Sequence, residues 1–116
     1  RKFPNSSMLS IANFIIQPST FWRRSLVDEI GLFNKYLHYC MDFDYWMRTI
    51  KKYKLHVLPN HFSFFRIHSK SKGGLLYGKQ FREEHDLVRK YSDNSVIKFL
   101  HFLHSNLIIF AYRFIK

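Results

Sequence analysis

Asp42 and Asp44 sit inside the most aromatic stretch of the chain, HYCMDFDYWMRTI. A carboxylate among apolar side chains must find partners or have a task, because burying it unpaired is expensive. The same stretch has a helical period. Phe43, Trp46, Met47 and Ile50 fall at i, i+3, i+4 and i+7 and predict a buried stripe, leaving Arg48, Lys51 and Lys52 to reach water. Asp42 then stands at or near the helix N-cap, where its carboxylate can accept free backbone N–H groups. Asp44 points to another side of the helix, so the two are poorly placed to act together on one bond.

With 116 residues, the chain is long enough for one modest core. It begins with Arg-Lys and reads as an excerpt of a longer protein. Thirteen Phe and seven Tyr suit a packed fold and argue against disorder. Nineteen Lys and Arg against eight acidic residues give a net charge of +11. Such a balance favours an anionic neighbour: nucleic acid, a phosphorylated ligand, an acidic membrane surface or a domain of opposite charge. Cys40 is the only cysteine, which excludes an intrachain disulfide and a thiolate metal cluster.

Along the chain, RKFPNSSMLS reads as polar loop, and IANFIIQ as a short apolar strand stopped by Pro18. Ser19 or Thr20 is placed to cap a helix over FWRRSLVDEI that Gly31 ends. GLFNKYLHYC reads as loop. KLHVLPN and HFSFFRIHS read as two more short strands, and SKSKGG as a basic junction. LLYGKQFREEHDLVRKYS predicts a helix, with Gly78 weakening its first turn. Asp93 or Ser95 is placed to cap a last helix over VIKFLHFLHSNLIIFAYRFI. That segment is apolar around much of its circumference but interrupted by polar residues, which makes it marginal as a membrane span. Packing on its parent protein or lying on a membrane suits it better.

Each candidate residue has two readings. Asp42 is a general base if a substrate hydroxyl comes within about 2.6–3.2 Å, or simply a helix cap. Asp44 is spaced to pair with Arg48 at i+4. His68, at the end of a strand-like run, is placed to ligate Mn or a similar ion, to donate to phosphate, or to anchor its loop. Lys70 and Lys72 suit a diphosphate or a plain basic face. Gln17 and Thr20 offer polar groups to a sugar, or serve a turn. No phosphate-binding Gly-rich loop, HExxH, zinc-finger spacing or GxSxG is present.

Taken in order, residues 11–72 resemble the second half of a bacterial family 2 glycosyltransferase. Three blocks carry the resemblance: QPSTFWRR followed by E-I-G-x-F, the acidic helix start Met41-Asp42, and the R-x-H of Arg66-Ile67-His68. It implies an α/β fold, as part of the nucleotide-diphospho-sugar transferase (GT-A) architecture, mostly helical with a few short strands. It also implies inverting transfer from a nucleotide-diphospho-sugar to a glycan or lipid-linked acceptor in surface polysaccharide synthesis. The roles it implies are Asp42 as base, Asp44 as support, and Arg48 as a structural or acceptor-side contact. Gln17, Pro18, Ser19 and Thr20 would line the acceptor cavity. His68, with Lys70 and Lys72, would complete the diphosphate or metal site. Mg or Mn would be held mainly by an Asp-x-Asp that precedes the region and is absent here, so the fragment alone is expected to be inactive. Met41 stands where the family usually has Glu.

On this reading, residues 1–74 form the acceptor-side part of the catalytic domain, and 75–116 a helical extension. The expected location is the cytoplasmic face of the bacterial inner membrane, with peripheral membrane contact and no nucleic acid. The rival reading is a basic, non-enzymatic module that binds nucleic acid or an acidic membrane.

Overall fold

The structure, a computed structural model, describes residues 5–64 and 77–114. Within them the chain forms five α-helices: α1 (Ser6–Ile11), α2 (Ser25–Ile30), α3 (Met41–Thr49), α4 (Tyr77–Tyr91) and α5 (Ser95–Phe114). A 3₁₀ turn spans Gln17–Ser19. The expected α/β architecture is therefore corrected: the described residues contain no strand.

The physical reason lies in pairing. Within IANFIIQ, whose ends belong to α1 and the 3₁₀ turn, Ala12 (φ −145°, ψ 128°) and Ile16 (φ −85°, ψ 104°) have extended torsions, which β-branched residues such as Ile16 favour. A strand also needs a ladder partner, and none of the described residues supplies one. KLHVLPN and residues 61–64 are likewise irregular, while the rest of HFSFFRIHS lies outside the described residues.

The supposed N-terminal loop contains α1. The Asn5 side chain accepts from the Met8 N–H at 3.1 Å, satisfying one of the donors that a helix start leaves unpaired. α2 begins four residues later than FWRRSLVDEI suggests, and neither Ser19 nor Thr20 caps it. Its end is as expected: Gly31 adopts φ 87°, which only glycine reaches without strain, and returns its N–H to the Val27 carbonyl. α5 is capped by Asn94, not by Asp93 or Ser95. Asn94 Oδ1 accepts from the Val96 and Ile97 N–H groups at 2.8 and 3.4 Å.

α3 is the centre of the molecule and touches α1, α2 and α4; α5 packs along α1 and α4. The core joins Leu9 of α1, Cys40, Phe43, Tyr45, Trp46 and Met47, and Leu87 and Val88 of α4. Burying each large apolar side chain of this set contributes about 1.5–3 kcal/mol. Trp22 meets Trp46 edge-on at 5.3 Å, and Phe33 stacks on Tyr45 at 4.2 Å, so the loops on either side of α2 close over α3. Among the described residues no helix is long and apolar enough to cross a membrane.

Candidate functional site

Asp42 is the second residue of α3, inside the helix; the N-cap position belongs to Cys40, whose side chain makes no capping bond. The first-turn N–H of Phe43 is taken by Asp42 itself, and the segment that leads into the helix is tied down from α4. Glu83 of α4 takes the His38 N–H on Oε1 at 2.8 Å, and those of Tyr39 and Cys40 on Oε2 at 2.6 and 2.8 Å. Burial pushes the Glu83 carboxyl up, but these three donors and the charge of His38 outweigh it and hold the group below the ordinary range.

Its neighbour Glu84 makes none of those bonds. It is 5 % exposed, and burial, reinforced by the charge of Asp42, raises its carboxyl to about 7. Asp42 itself is half-buried. Burial raises its carboxyl too, while the N–H groups of Phe43 and of Asp42 itself pull the other way; Oδ1 accepts from Phe43 at 2.8 Å. The ion pairs of the described residues leave Asp42 without a cation. The Cys40 thiol donates to the Gln80 carbonyl at 3.4 Å. Burial, followed by the charges of Glu84, Glu83 and Asp42, pushes it far up, so it is held as an inert thiol.

Asp44 lies two residues on and is fully engaged. It is 2 % exposed, and its Oδ2 receives Arg48 Nε at 3.0 Å, so the i+4 pair is formed. Its Oδ1 accepts from Tyr91 Oη at 2.6 Å and lies 3.5 Å from Lys90 Nζ. Burial, then the hydrogen bond to Asp44, keeps the Tyr91 phenol protonated far above its usual range. Arg48 is committed as well. Nη1 and Nη2 donate to the Ile30 and Leu32 carbonyls at 2.7 and 3.0 Å, on either side of Gly31. The guanidinium fork thus fastens the end of α2 to α3 and also lies over the Tyr45 ring.

Gln17 is exposed at the start of the 3₁₀ turn. Ser19 shares a hydrogen bond with Ser63, and Thr20 Oγ1 donates to the Ile16 carbonyl at 2.8 Å. The side-chain bonds of this segment thus run to its own turn and to the 61–64 stretch, with none to Asp42. His68, Lys70 and Lys72 lie outside the described residues.

Glu83 and Glu84 are the site residues that sequence reasoning passed over. A signal was there: Glu84, Leu87, Val88 and Tyr91 share i, i+3, i+4 and i+7 spacing, placing a carboxylate on the buried stripe of α4. The described residues do not fit Mg or Mn. Both Glu83 oxygens are taken by backbone donors, and no three potential ligands are grouped among them. No family model matches the chain, and comparison with curated proteins and with solved structures finds no significant similarity.

Proposed function

We propose that this chain supplies the acceptor side of an inverting glycosyltransferase, with Asp42 as the base. Its donor is a nucleotide-diphospho-sugar and its acceptor a hydroxyl of a glycan or lipid-linked sugar. The observation that carries this reading is the contrast between two aspartates two residues apart. Asp44 has every oxygen occupied, whereas Asp42 stands at the helix start without a cation among the described residues, its carboxyl raised by burial. A carboxylate raised in this way is a better base than an exposed one. Glu83 and the Asp44–Arg48 network hold the helix that carries it, and rigid placement is what such a base needs.

In the reaction, a lone pair of the acceptor oxygen attacks the anomeric carbon. Asp42 takes the hydroxyl proton, the bond from that carbon to the phosphate oxygen breaks, and the nucleoside diphosphate leaves with the electron pair. Back-side attack inverts the anomeric centre. Binding and neutralising the diphosphate falls to groups outside the described residues, His68, Lys70 and Lys72 among them on this reading.

The test is donor-dependent transfer across a panel of nucleotide sugars, measured with this chain joined to a nucleotide-sugar-binding domain. Asp42→Asn should lower the rate by at least about a hundredfold in a folded protein, the usual scale for loss of a general base. Equal rates for the wild type and Asp42→Asn would remove Asp42 from the chemistry.

A further inference from the structure

α5 is inside out. The two residues it buries most deeply are His101, 1 % exposed, and Ser105, 6 % exposed. His101 Nδ1 lies 3.2 Å from the Ile11 carbonyl, and Nε2 lies 3.4 Å from Ser105 Oγ. Meanwhile Val96, Phe99, Leu103 and Leu107 are 63, 62, 45 and 60 % exposed. Their spacing of three and four places them in one stripe along the outer side of the helix. Phe102, at 56 %, widens it on the side toward α4. A helix of a self-contained soluble domain turns such a stripe inward, so this one is made for an apolar surrounding.

Charge identifies which surrounding. Ser95–Phe114 contains no Asp or Glu, and the whole chain carries +11. On α4, His85 stacks against His101 at 5.7 Å and meets Phe102 edge-on at 6.3 Å. Arg82 and Arg89, three residues before and four after His85, share its side of α4 and are exposed. The exposed Asp86, four residues after Arg82 and three before Arg89, lies beside both, so this side of α4 keeps a net positive charge with one acid in it. A second copy of so cationic a chain is repelled. The stripe's own side chains offer a partner apolar contact alone. Its polar neighbour Asn106 spends its Nδ2 on the Phe102 carbonyl at 2.7 Å. Lipid chains need no hydrogen bonds, and acidic headgroups suit the arginines.

We infer that α5 lies in the plane of an acidic membrane surface. Val96, Phe99, Leu103 and Leu107 enter the acyl boundary, and Arg82 and Arg89 meet the headgroups. The buried His101 side keeps α5 fastened to α1, so the helix lies on the bilayer instead of crossing it. This inference stands independently of the transferase reading.

The test is co-sedimentation of the chain with phosphatidylcholine vesicles, with and without phosphatidylglycerol. Binding should require the acidic lipid and weaken as salt is added. Arg82→Gln/Arg89→Gln should weaken it about fivefold per arginine. Phe99→Asp/Leu103→Asp should abolish it while leaving the helical circular dichroism and melting temperature intact, since both residues face outward. Failure of the wild type to sediment, or undiminished binding by the Phe99/Leu103 variant, would overturn the inference. So would a dimer in solution that this variant dissolves and that does not bind vesicles, which would show a second copy covering the stripe.

Discussion

α3 and α5 are both rich in aromatic residues, yet they treat them in opposite ways. In α3 the run Phe43–Met47 is buried without a break, and the one acid within it, Asp44, is met by Arg48, Tyr91 and Lys90. In α5 Phe99, Phe102, Leu103 and Leu107 stay outside, while a histidine and a serine go in. Burial here follows the neighbours a helix has, more than its own hydrophobicity. α3 is enclosed by three helices and the loops around α2. α5 packs on α1 and α4 through the side that carries His101, and Val96, Phe99, Leu103 and Leu107 stay exposed. One helix is positioned to hold a reactive group still, the other to meet something from outside.

The largest expected effect separates the two helices directly. Phe43→Ala should cost about 3–5 kcal/mol, the usual range for emptying a filled aromatic site. Phe99→Ala, on the bare side of α5, should stay within about 0.5 kcal/mol. Denaturant melts of both variants read the difference; equal losses would mean that α5 is as enclosed as α3.

A smaller effect tests the carboxylates behind α3. Glu84 titrates at about 7 in the fold and near 4.5 when unfolded. Between those values the folded chain holds the extra proton, so stability falls as pH rises from about 4.5 to about 7 and levels off beyond. The full drop attributable to Glu84 is up to about 3 kcal/mol. Glu84→Gln should flatten this slope and raise stability above pH 7. An unchanged slope in melts run across that window would show that Glu84 ionises freely.

The smallest prediction concerns how α5 starts. Asn94→Ala removes the acceptor of the Val96 and Ile97 N–H groups and should cost about 1 kcal/mol. Because α5 is fastened through the side that carries His101, hydrogen exchange should rise first in its opening turn. Uniform loosening of the whole molecule would mean that α5 and α3 unfold as one unit.

What the sequence reveals is what depends on near neighbours. The stripe of α3, the stop at Gly31, the Asp44–Arg48 pair and the two C-terminal helices all follow from spacings of four residues or fewer. The strands failed for the complementary reason. IANFIIQ and KLHVLPN have local strand character, but a strand depends on a distant partner that local character does not report. α1 was legible in Asn5, a good capping residue, and was masked by the polar run SSMLS around it. At the candidate site, Asp42 stood out by its surroundings, but Glu83 reaches the start of α3 from 43 to 45 positions along the chain. No periodicity announces a contact of that range.

That long reach has a consequence for how the molecule comes into being. The turn that presents Asp42 waits for a carboxylate translated more than forty residues later. At ordinary synthesis rates this is an interval of roughly two to nine seconds. During it the backbone N–H groups of His38, Tyr39 and Cys40 have no carboxylate to take them, and a ribosome paused before Glu83 would hold a chain whose entry into its most aromatic helix is still unfastened.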